Sequence, residues 1–103
     1  MAIEIGSEIA EKLREKHNVS PKEVDECIQN VTGILLKDNR DKHKTTPPTW
    51  WIISETNKTR LLKVCFIIID GVFHIKTAYE PNEEEKRIYA THGKRIQKPT
   101  KSK

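Results

Sequence analysis

Arg60, Lys63, His74, Lys76, Glu80, Arg87 and Tyr89 bring cations, an imidazole, a carboxylate and a phenol into one stretch of the chain. Side chains of these types can hold an anion and move a proton, and histidine titrates near neutrality. Arg40, Lys42 and Lys44, in the segment DNRDKHKTTPP, form a second patch able to meet phosphate. Dedicated motifs are missing from the sequence: there is no G-x-S-x-G, no glycine-rich phosphate loop and no H-E-x-x-H. His17, His43, His74 and His92 lack the paired spacing of metal ligands, so neither a metal nor a cofactor is expected.

The elements that must position these groups are legible from pattern. Two apolar runs, Leu61–Ile69 and Val72–Ala78, flank Asp70-Gly71. Asp-Gly between such runs predicts a hairpin, because Gly71 can take the positive φ of a primed turn. Alternation places Phe73, Ile75, Thr77 and Tyr79 on one face of the second strand, and Val72, His74, Lys76 and Ala78 on the other. The first strand is largely apolar on both faces, as in a central strand covered on each side. Thr49–Glu55 predicts another strand, with Trp50 and Trp51 on opposite faces, and Ile34–Lys37 a short edge strand.

Ser20, Pro21 and Glu23 spell a capping box with proline at the first helical position. The helix behind them carries the stripe Val24, Cys27, Ile28 and Val31, and Gly33 ends it. A preceding helix runs from an N-cap at Ser7 to His17-Asn18, and a last helix follows Pro81 behind an Asn82/Glu85 capping box. The predicted class is α+β: an N-terminal helical hairpin, about four mostly antiparallel strands and a C-terminal helix.

A chain of 103 residues, 35% hydrophobic and 33% charged, builds one small core under a well-solvated surface. No apolar run spans a bilayer and the start lacks the apolar segment of a secretory signal, so a cytoplasmic protein with no membrane partner is expected. Cys27 and Cys65 have apolar neighbours and read as buried, reduced thiols. The net charge of +4 comes from the end of the chain, where Lys94, Arg95, Lys98, Lys101 and Lys103 occur without an acid. Without those five, the nineteen Lys and Arg fall to fourteen, against fifteen Asp and Glu. The expected organisation is one domain over 1–93 and a disordered basic tail over 94–103, either solubilising or in contact with a nucleic-acid backbone.

Lys16, His17, Val19, Ser20 and Glu23, then R-L-L-K-V from Arg60, D-G-x-x-x-I-x-T-A from Asp70, and Asn82, Glu85 and Tyr89 together resemble the BrnT-type ribonuclease toxins. The resemblance covers roughly residues 8 to 90. It implies a RelE-like fold, a type II toxin with a cognate antitoxin protein as partner, and RNA, ribosome-associated mRNA included, as substrate. Cleavage in that reading is metal-independent: the 2′-hydroxyl of the RNA attacks the neighbouring phosphorus. Lys76 and Arg87 would stabilise charge, His74 or Glu80 would take a proton, and Tyr89 would donate one or stack on a base. Arg60, Lys63, Arg40, Lys42 and Lys44 would bind RNA.

The chain departs from the family in two places. The family opens on F-x-W-D where this chain has Ile3-Glu4-Ile5, and it ends its last strand on an arginine where this chain has Tyr79. A catalytically silent RNA- or protein-binding relative is therefore the second reading. The stretch TAYEPNEEE, Thr77–Glu85, is also similar to the endings of small proteins labelled ADP-ribosyl-dinitrogen-reductase hydrolases. Enzymes with that activity are large, all-helical and metal-dependent, and their acidic motifs do not occur in this sequence.

Each candidate also has a plainer role. Tyr89 can pack in the core, Arg87 can pair with Glu83 or Glu84 along the helix, and Glu80 can begin it.

Overall fold

The structure, a computed structural model, describes residues 2–38 and 47–93. The element order is β1 (Ala2–Glu4), α1 (Ser7–Lys12 continued by a wider π-helical turn, Leu13–His17), α2 (Pro21–Asn30), β2 (Leu36–Lys37), β3 (Trp50–Glu55), β4 (Leu61–Ile69), β5 (Val72–Tyr79) and α3 (Glu83–His92). The class is α+β, as expected, but the sheet has five strands and is mixed, in the order β1-β5-β4-β3-β2. The strand missing from the sequence reading is β1, which lies parallel to the start of β5, with Ala2 opposite Val72 and Glu4 opposite His74. Three residues, none of them fully buried, leave too little alternation to be recognised.

The helical hairpin covers one face of the sheet. The capping box at Ser20 and Glu23 is formed, and α2 buries Val24, Cys27 and Ile28. These pack with Leu13, Val19, Ile52, Leu62, Val64, Phe66, Ile75 and Ala78 in the main core. The first helix starts differently from expectation: Gly6 occupies the N-cap, without a side-chain bond, and Ser7 is already helical. It ends on Asn18 in the left-handed conformation (φ 54°), while the Val19 N–H reaches back 3.0 Å to the Leu13 carbonyl.

β4 and β5 form the expected hairpin, with Asp70 at φ 51° and Gly71 at φ 78°. Their register slips: Cys65 faces Thr77 but Phe66 faces Ile75, so Lys76 is an extra residue, a β-bulge. The bulge corrects the expected alternation. Ile75 and Ala78 both turn into the helical core, and Thr77 and Tyr79 move to the opposite face, joining His74.

On that second face α3 covers the β3 side. It begins with the expected Asn82/Glu85 capping box, and Tyr89 packs its ring 5.6 Å from that of Trp51. Gly33 does not end α2, which stops at Asn30 with Val31 as its extended cap. Its function is close approach: a Cβ there would stand 2.3 Å from the Gly93 carbonyl and 2.5 Å from the Tyr89 hydroxyl. The chain at 33–34 thus clasps the end of α3, with the Ile34 N–H bonded to the Gly93 carbonyl at 2.7 Å and Tyr89 Oη donating to the Ile34 carbonyl at 3.0 Å.

Candidate functional site

Between α3 and the β2–β3 edge lies a groove of about 570 Å³, lined by Lys37, Asp38, Trp51, Lys63, Asn82, Glu84, Glu85 and Ile88. Its floor is a buried polar network that follows from one sequence fact. Lys63, near the start of the central strand, is only 5% exposed, so burial demands a counter-charge. Glu85, in the first turn of α3, supplies it at 3.0 Å. The same carboxylate oxygen accepts the Tyr79 hydroxyl at 2.9 Å, and the other accepts the Asn82 N–H of the capping box. The Lys63 ammonium also lies 4.5 Å from the centre of the Trp51 ring.

The charges respond accordingly. Burial pushes the Lys63 ammonium down, but the hydrogen bond to Glu85, with Cys65 and Tyr79 nearby, outweighs it and holds the pKa above the ordinary value. Burial pushes Glu85 up, and the Asn82 amide, Lys63 and Tyr79 together leave it below the ordinary value. Burial and the bond to Glu85 raise the Tyr79 phenol. Both charges are therefore locked on across the neutral range, opposite to the tuning that suits a general acid or base.

The other candidates are dispersed. Arg60 is occupied within the fold: Nη1 donates to the Asn18 carbonyl at 2.7 Å and to Glu23 at 3.1 Å, Nη2 to the His17 carbonyl at 3.1 Å, and Nε to Glu80 at 2.9 Å. Arg60 thereby ties the C-terminal carbonyls of the first helix to α2 and the end of β5, and it accounts for Glu80 as well. Tyr89 is held in the clasp, where burial raises its phenol and the Ile53 backbone amide, bonded to the same oxygen, pulls the other way. His74 is half-buried, with Nδ1 3.7 Å from Glu4. Lys76 and Arg87 are exposed on different elements, and Glu83 pairs with Lys86 rather than Arg87. Arg40, Lys42 and Lys44 lie outside the described residues. Cys27 is no nucleophile, since burial pushes its thiol up to about 12.

Sequence reasoning treated Glu85 only as a capping residue and passed over Glu84 and Ile88 as groove walls. The available signal was Lys63 itself, a lysine in an apolar central strand, whose partner had to come from an element covering that face. Among the described residues no cluster of His, Cys, Asp or Glu could hold a metal ion, and no helix is long and apolar enough to cross a membrane. Compared with protein-family models and with curated proteins, the chain matches none of them.

Proposed function

We propose that this chain binds RNA without cleaving it, keeping the RelE-like organisation implied by its BrnT-type resemblance and using its basic segments for phosphate contact. The partition of charge carries this reading. The described residues hold eleven Lys and Arg against fourteen Asp and Glu, a net of −3. The whole chain carries +4, so segments 39–46 and 94–103 together contribute +7. Within the folded body, the candidate cations Arg60 and Lys63 are spent on Glu23, Glu80 and Glu85, and Tyr89 is spent on the clasp. Phosphoryl chemistry asks for free charge aimed at one point; Arg60 and Lys63 are paired within the fold, and Lys76 and Arg87 stand exposed on different elements.

The test is RNA binding by fluorescence anisotropy over about 50–200 mM salt, run beside a cleavage assay on the same oligonucleotide. Binding should weaken steeply with salt while the RNA stays intact. Replacing Lys94, Arg95, Lys98, Lys101 and Lys103 by glutamine should shrink the log–log salt slope by up to about 3.5, at about 0.7 per phosphate contact on a single strand. Cleavage that disappears on changing His74 or Lys76 would refute the proposal and favour the nuclease toxin, with an antitoxin as partner.

A further inference from the structure

The groove between α3 and the β2–β3 edge has chemistry opposite to that of an RNA site. Three acids and two lysines line it, Asp38, Glu84 and Glu85 against Lys37 and Lys63. Lys63 and Glu85 neutralise each other at 3.0 Å. Lys37 lies 5.8 Å from the centre of the Trp50 ring and is followed directly by the opposite charge of Asp38. Glu84 is exposed and makes no ion pair among the described residues, so it leaves the groove an unneutralised carboxylate. The helix N-terminus that would favour an anion is already answered by Glu83, Glu84 and Glu85 in its first turn. Phosphate is thereby disfavoured.

The apolar part of the wall is Ile88, 38% exposed, together with the edge that the largely buried Trp51 turns to the groove. A volume of about 570 Å³ holds a few side chains of a peptide rather than a whole domain. We infer that this groove docks a short segment of a partner protein that carries a large apolar residue beside arginine or lysine. The apolar side chain packs on Ile88 and Trp51, and the cation meets Glu84. This interaction is independent of the RNA contact, because it uses the acidic body and not the basic segments.

The experiment uses the full-length protein and two labelled twelve-residue peptides, one alternating leucine with arginine and one alternating leucine with glutamate. Binding is read by anisotropy and by the shift of the Trp51 indole N–H resonance. The arginine peptide should bind at least tenfold more tightly than the glutamate peptide and move the Trp51 resonance. Glu84→Lys and Ile88→Asp, both at exposed positions, should each weaken it tenfold or more with the circular dichroism unchanged. Equal affinity for the two peptides, or binding insensitive to both substitutions, would overturn the assignment. So would binding that emerges only after the five tail cations are changed to glutamine, which would make the chain's own tail the occupant.

Discussion

Replacing Glu85 with glutamine isolates the Lys63–Glu85 bridge, because glutamine still completes the capping box with Asn82. Two unit charges at 3.0 Å in an effective dielectric near 20 attract by roughly 5 kcal/mol before desolvation is counted. Removing one partner of a buried pair costs about 3–5 kcal/mol, because the surviving charge is stranded. The Lys63 side chain is 6% exposed and that of Glu85 18%. The lysine has little water to turn to, so the expected loss for Glu85→Gln is at the low end, about 3 kcal/mol, a large part of a small domain's total.

Lys63→Met should cost less. The partly exposed carboxylate keeps its bonds from Asn82 and Tyr79, and methionine fills the space against Trp51. The double variant should return to within about 1 kcal/mol of the parent, giving a coupling of about 2 kcal/mol or more in a double-mutant cycle. Urea unfolding followed by tryptophan emission measures all four proteins, since the ammonium lies 4.5 Å from the Trp51 ring centre. A loss below about 1 kcal/mol for Glu85→Gln, or a double variant as unstable as the sum of the singles, would refute this account.

The same bridge sets a pH window. Glu85 is lowered from 4.5, so its contribution is present above that value and fades as pH falls through the folded pKa; Lys63 is raised from 10.5, so its contribution is present below that value and fades as pH rises past the folded pKa. Melting temperature against pH should lose its acid limb in part in Glu85→Gln. Arg60→Lys removes the fork that reaches two carbonyls and two carboxylates, and should cost about 2 kcal/mol in the same unfolding assay. Tyr89→Phe unpairs the Ile34 carbonyl and should cost about 1–2 kcal/mol. Gly93→Ala should cost more than Tyr89→Phe, since its Cβ would stand 2.5 Å from ring carbons of Tyr89.

Local chemistry was readable from the chain. Both capping boxes, the Asp70-Gly71 turn, the buried stripe of α2 except Val31, which lies just past the helix, and the opposed Trp50 and Trp51 rest on neighbours in sequence, and these occur. Long-range choices were not. Arg60 looked like a phosphate ligand because its two acids and two carbonyls come from segments around residues 17–23 and from residue 80. Lys63 looked like a surface cation for the same reason, its partner lying 22 positions away. Gly33 looked like a helix stop because glycine has that role often; the close passage of α3 is visible only when the fold is complete.

The extra residue at Lys76 has a consequence for comparing this chain with any other. It inverts the parity of the strand: positions before it and after it obey opposite inside–outside rules. A chain of the same length paired without the bulge would keep Ile75 inside but send Ala78 out and bring the Thr77 and Tyr79 positions under the helical hairpin. Its Tyr79 equivalent would then lose Glu85, and the Lys63–Glu85 pair would lose the hydroxyl that shares its carboxylate oxygen. Any alignment drawn through this strand must therefore open a gap at 76 before it equates residues on either side. Tyr79 is matched to a residue of a bulge-free strand only across that gap; an ungapped alignment equates it with a residue of the opposite face.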